Sequence, residues 1–372
     1  MRILQLGKFY PIQGGVEKVM FDLLDGMSNQ GITCDMLCAN AYVGQPLRII
    51  KYNDNSQIIC TNTFCKKYST MISPQMIVEL HKICSNYDII HVHHPDPMAA
   101  LALFFSGFRG KVILHWHSDI LKQKKLLMFF MPLQNWLINR ADIIVGTTPV
   151  YVACSPHLKT VQQKCTYLPI GIDKVLPDQV KVNEIRRKYG NKKIVFSLGR
   201  LVEYKGYKYL VEAAKFLSSN YVVLIGGSGP LKDELHKQIL ENGLQEKVHL
   251  LGRISHEDLP SYYGASDIYC LPSIMKTEAF AIVQIEAMSC GKPVVATKIP
   301  ESGVSWVNED GASGLNVPIE NGEALANAIH RIVSNDILYQ KLSQGATSRF
   351  NHLFRKEKMV ETCVNIYDKL LR

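Results

Sequence analysis

Short runs rich in β-branched residues alternate with amphipathic stretches along almost the whole 372-residue chain. That alternation predicts βαβ units, hence parallel sheets layered with helices, and argues against a β-sandwich. In the first half, strands are expected over 3–6, 32–37, 57–61, 89–92, 112–116, 143–146 and 165–168. Between the first two, Val16, Val19, Met20, Leu23, Leu24 and Met27 recur at helical spacing and share one face. Pro97 opens another helix. A second series begins at 194–198 and continues through 222–225, 248–251, 268–271 and 294–296. Joining the two series, Leu168-Pro169-Ile170-Gly171-Ile172-Asp173 has the composition of an interdomain connection. Helical patterns over 338–349 and 356–371 close the chain. The expected fold is therefore α/β with two Rossmann-like domains, 1–170 and 171–354, and a terminal helix over 355–372 that packs back onto the first.

Composition narrows the function classes. A hydrophobic content of 47% with 20% charged residues is that of a folded chain, and the length suits two cores. The net charge of +9 raises a nucleic-acid reading, but the basic residues are spread out, without an aromatic-interleaved stripe or zinc-finger spacing. No nucleic acid is expected; anionic small ligands and an anionic membrane surface account for the charge equally well. Ten cysteines without a Cys-x-x-Cys pair point to reduced core thiols in a cytoplasmic protein. The N-terminus looks like a first strand rather than a signal peptide, and no run approaches the ~18 apolar residues of a spanning helix.

One segment supports two readings. Lys122, Lys124 and Lys125 precede Phe129, Phe130 and Trp136 within 122–140, the composition of a helix lying on a membrane. A core helix with a solvated basic end has the same pattern.

Chemistry concentrates in the second half. Arg200 and Lys205 lie in the turn after the strand at 194–198, at the carboxyl edge where open α/β sheets bind ligands. A guanidinium fork and an ammonium suit a diphosphate. Further on, Glu278 and Glu286 stand eight residues apart. A helix beginning near Phe280 would aim free amides at an anion beside Ala281 and Ile282. An offset of about 80° would turn both carboxylates to one side. Carboxylates beside a bound phosphate are tolerable where they accept hydrogen bonds from hydroxyls, so a nucleoside diphosphate sugar satisfies all three elements. Gly226-Gly227-Ser228-Gly229 and Gly14-Gly15 each fit a tight turn or a close approach to a ligand. His91, His93, His94, His115 and His117 gather near two strand ends, where polar acceptor-site roles are favoured over a metal. No Asp-x-Asp occurs, so the usual carboxylate pair for a magnesium-bound nucleotide sugar is missing.

Taken together, Gly199-Arg200…Lys205-Gly206, the Gly226–Pro230 turn, Pro272-Ser273 and Glu278-x7-Glu286-Ala-Met-x-x-Gly291-x-Pro293 resemble the family-4 retaining glycosyltransferases of GT-B fold. The resemblance extends from Gly14-Gly15 to Leu315. It implies two Rossmann-like domains facing across a cleft. It also implies a metal-independent, cofactor-free hexosyltransferase that keeps the anomeric configuration, with a UDP or GDP sugar as donor. The acceptor implied is a glycan or lipid-linked hydroxyl in O-antigen, capsule or exopolysaccharide synthesis on the inner membrane face. By resemblance, Arg200 and Lys205 hold the diphosphate, and the amides of Phe280, Ala281, Ile282 and Val283 contact phosphate and sugar. Glu286 corresponds to the ribose ligand, Glu278 to the carboxylate beside the donor sugar, and Arg253 to the base edge. His117 matches the histidine facing the reacting centre, and Gly15 the glycine under the phosphates. One departure stands out: the family often has Gly-Phe-Gly where this chain has Ala279-Phe280-Ala281. A nucleotide-sugar epimerase on the same frame, a phosphorylase and a non-catalytic nucleotide-sugar-binding protein are the rival readings.

Overall fold

The computed structural model describes residues 1–67, 70–120 and 124–372, with 124–126 described in backbone only. The chain divides into two compact units, one made of Met1–Gly171 with Lys356–Arg372, the other of Ile172–Arg355. Each is built on its own sheet.

The large sheet of the first unit has eight strands, in spatial order Cys165–Tyr167, Ile143–Gly146, Lys111–Trp116, Ile89–His94, Arg2–Tyr10, Thr33–Val43, Ser56–Thr63 and Arg48–Asn53. All neighbours run parallel except the last pair. The edge strand Arg48–Asn53 is largely solvated and has no apolar alternation, so periodicity gave no sign of it. Helices cover the faces, and Ile3, Leu4 and Leu6 are wholly buried. Each such side chain contributes roughly 1.5–3 kcal/mol of burial.

The terminal helix Lys356–Leu371 belongs to this first unit. Met359 Sδ accepts from the amide of Gly171, Lys356 pairs with Asp25 at 3.1 Å, and Val360 fills the space that a side chain at Gly26 would need.

In the second unit six parallel strands run in the order Val248–Gly252, Tyr221–Gly226, Lys193–Leu198, Ile268–Leu271, Val294–Thr297 and Gly314–Val317. Tyr221–Gly226 is buried at all six positions, as expected of a central strand with helices on both faces. Leu325, Ile329 and Ile332 of the helix Gly322–Val333 share one buried cluster with Val223 and Ile225 of this strand and with Val211 and Leu235.

The helix Lys124–Arg140 has a buried side and exposed apolar side chains. Gln134, Leu137 and Ile138 are buried, while Phe129 is 86% exposed and Met128 70%. Lys122 lies outside the described residues, as do the side chains of Lys124 and Lys125. Among the described residues no helix is long and apolar enough to cross a membrane.

Candidate active site

In the second unit the strand Lys193–Leu198 has Tyr221–Gly226 on one side and Ile268–Leu271 on the other. Connections leave these strands in opposite directions, and a crevice opens at their carboxyl ends. From the first strand the chain enters the Gly199–Gly206 turn, and from the second it passes Pro272-Ser273 toward Glu278. The two turns meet. Lys205 Nζ lies 2.5 Å from Glu278 Oε2, with only 10% and 11% of the two side chains exposed. Ser273 Oγ donates to the same oxygen at 3.0 Å, and Ser302 Oγ donates to the Glu278 carbonyl.

Glycines make this approach feasible. A Cβ at Gly199 would lie 2.8 Å from Tyr207 Oη and 3.2 Å from Lys205 Cε. At Gly206, with φ +65°, it would lie 2.1 Å from the Pro272 carbonyl oxygen. Gly227 answers the question left open for its turn: a side chain there would collide with the Gly199 carbonyl at 1.8 Å, so the glycines let two loop backbones pack together. The amide of Leu201 donates to the Ser228 carbonyl at 3.0 Å across that contact.

The helix carrying Glu286 corrects two expectations. It spans Ile282–Ser289 rather than beginning near Phe280, because Ala281 sits in the left-handed region at φ +63°, ψ +80° and turns the chain into it. Glu278 lies outside this helix, so the helical offset does not apply and the two carboxylates have separate partners. Glu286 Oε2 accepts from Tyr263 Oη at 2.5 Å. Burial pushes the Glu286 carboxyl above its ordinary range, opposed by that hydrogen bond and by His256. First-turn amides of a helix lack partners inside it, which leaves the Ile282 and Val283 end suited to an anion. The Phe280 side chain turns inward, edge-on to Phe354 at 5.8 Å, so only its backbone faces the turn.

Arg200 is exposed, with a guanidinium nitrogen 3.5 Å from Tyr204 Oη; Lys205 Nζ lies 5.6 Å from the same ring. Arg253, also exposed, follows the strand Val248–Gly252. The structure thus groups Lys205 with Glu278, and Glu286 with Tyr263. Tyr263 and Ser302 had no distinguishing signal in the sequence, whereas Ser273 stood in the Pro272-Ser273 pair with no role assigned to it.

His117 and Gly15 belong to the first unit. Gly15 is exposed and begins the helix Gly15–Ser28. His117, 5% exposed, follows the strand Lys111–Trp116, and its Nε2 lies 2.9 Å from His93 Nδ1. His91, His93 and His115 join it in a stack with ring centroids 3.9 to 5.3 Å apart. Burial pushes all four well below the ordinary histidine range, His115 to about 3. His91, His93 and His115 can bring one ring nitrogen each within 4.8 Å of the others. Imidazole binds a metal in its ring plane, however, and these rings are tilted by only 10°, 27° and 30°. Stacked planes do not converge on one ion.

Two domain models match the chain: "Glycosyltransferase Family 4" over residues 13–174 and "Glycosyl transferases group 1" over 178–349. O-antigen chain mannosyltransferase C of Escherichia coli is 29% identical over 375 residues, covering 100% of this chain and 99% of its own. D-rhamnosyltransferase WbpZ of Pseudomonas aeruginosa is 28% identical, over 95% and 92%. Among solved structures, Anabaena Alr3699/HepE in complex with UDP superposes with a TM-score of 0.78 at 20% identity, over 99% of this chain and 100% of that one. That likeness shows the GT-B fold.

Proposed function

Because this chain belongs to the family-4, group 1 glycosyltransferases, we propose that it moves a hexose from a UDP or GDP sugar to a hydroxyl of a glycan or lipid-linked acceptor in surface-polysaccharide synthesis. The single observation that supports this most is the buried Lys205–Glu278 pair at the sheet's switch point. An ammonium has three donors, so Lys205 can keep Glu278 and still meet a phosphate oxygen.

Arg200, Lys205 and the Ile282 helix end would stabilise the charge that grows on the diphosphate as the anomeric C–O bond breaks. The bonding electrons leave with the phosphate oxygen. The acceptor oxygen attacks the same face, and its proton passes to that leaving oxygen, so configuration is retained without a protein nucleophile, resident cofactor or metal. Glu286 would accept from ribose hydroxyls, Glu278 and His117 from sugar hydroxyls, while Arg253 borders the base and Gly15 the phosphates. An acceptor anchored in lipid fits a peripheral position on the cytoplasmic membrane face, with the exposed Met128 and Phe129 in the interface. Nothing in the likenesses favours an epimerase.

A thermal-shift screen of UDP, GDP and their sugars tests the reading: one nucleotide series should raise Tm, more weakly in Lys205→Ala and Glu286→Ala. Anomeric coupling constants of the product, read by NMR, should match those of the donor. Unchanged nucleotide affinity in both variants would remove the assignment.

A further inference from the structure

Beneath the first unit's sheet, a line of hydrogen bonds runs from the terminal helix to His117. We propose that Tyr367, Gln5 and His93 are positioning residues that fix the tautomer of His117, with its proton on Nε2 and a bare lone pair on Nδ1. The inference rests on the assignment of His117 to a sugar hydroxyl given above, and it makes the substrate-side atom of that ring an obligate acceptor.

The amide of Gln5 sets the direction. Gln5 is wholly buried, and its Nε2 lies 3.2 Å from Tyr367 Oη and 3.7 Å from Cys34 Sγ, while its Oε1 lies 2.8 Å from His93 Nε2. In this orientation both amide hydrogens have acceptors. Reversed, the two hydrogens would face one ring nitrogen, and a buried donor would be left unpaired, a cost of about 1–3 kcal/mol. His93 Nε2 therefore carries the proton that Gln5 Oε1 accepts.

Everything else follows from neutrality. Burial and the neighbouring His91 and His115 keep His93 uncharged, and a neutral imidazole has one N–H. His93 Nδ1 is then a lone pair, so the 2.9 Å contact to His117 Nε2 requires that His117 donate from Nε2. His117 is neutral by the same burial, which leaves Nδ1 unprotonated. At the far end Tyr367 Oη accepts from Gln5 and lies 2.5 Å from His91 Nδ1. The last helix of the chain thereby sets a proton position at the site some distance away.

Long-range proton–nitrogen NMR of the ligand-free full chain, with ring-labelled histidine and His117 assigned by its loss in His117→Gln, reads this directly. At about neutral pH His117 should show a protonated Nε2 and a bare Nδ1. Tyr367→Phe and Gln5→Met should give a mixture of tautomers and a transfer rate about 10-fold lower, the value of one hydrogen bond. A His117 proton on Nδ1 in the unaltered chain overturns the proposal, and so does an unchanged tautomer in both variants. The unaltered spectrum needs no variant to fold. Since no substrate is present, the expected tautomer together with normal turnover by His117→Gln would support the relay while removing His117 from the function above.

Discussion

Two strands of six residues, Tyr221–Gly226 in the second unit and Ile89–His94 in the first, are each buried at every position. One is mainly aliphatic; the other carries His91, His93 and His94. In the second unit the polar chemistry stands beyond the strand ends, where Lys205 and Glu278 form a charged pair that an incoming anion can share. In the first unit it lies on the sheet face itself, as neutral rings whose hydrogen bonds admit few proton arrangements. Charge held at an edge can be exchanged with a ligand, whereas polarity inside a sheet demands a fixed assignment of protons.

The contrast is tested most severely by Lys205→Ala. Turnover should fall by about 10²–10³, and the stranded Glu278 should destabilise the second unit by roughly 3–5 kcal/mol. Adding Glu278→Ala should restore much of the stability, read by urea unfolding, and none of the activity. Full activity in the single variant would break the comparison at its charged end.

Acid should break the other end. Unfolded histidines take up protons near pH 6.5, while His94 and His115 in the folded unit resist until about 3. The folded state binds fewer protons in that window, so stability is complete above pH 6.5 and is lost as pH falls through it. Hydrogen exchange at about pH 5, compared with neutral pH, should show the first unit losing protection before the second, by on the order of 2–5 kcal/mol. Equal loss in both units would mean that the buried histidines are not the distinguishing element.

Glu286→Gln sharpens the ligand side. Tyr263 keeps an acceptor, yet hydroxyls lose a charged one, so nucleotide affinity measured by calorimetry should weaken by about 1.5–3 kcal/mol. Thermal stability without ligand should change little. The smallest effect is expected at Ala281, whose φ of +63° suits glycine better. Ala281→Gly should relieve roughly 1 kcal/mol of strain, partly offset by the freer unfolded chain, with a net rise in Tm of a few degrees at most.

Much of the second unit's site was readable because cations and glycines follow aliphatic strands at fixed places: Arg200 and Lys205 come after 194–198, and Glu278 comes after 268–271. The partnership of Lys205 with Glu278 was not readable, since 73 positions separate them and only the parallel pairing of their strands brings the turns together. The helix start was misplaced because a local pattern cannot reveal that Ala281 adopts a left-handed turn. Gln5 did leave a trace, as a lone amide in the apolar run Ile3-Leu4-Gln5-Leu6, but nothing local connects it to Tyr367 at the other end of the chain.

By itself, then, the sequence determined the alternation of strands and helices, the two series, and the turns that bear charge, because these are written in short-range periodicity and composition. Tertiary structure alone decided which buried groups share a proton. The terminal helix Lys356–Leu371 returns to the first sheet, and hydrogen bonds between residues hundreds of positions apart exist only once burial has removed water as the competing partner.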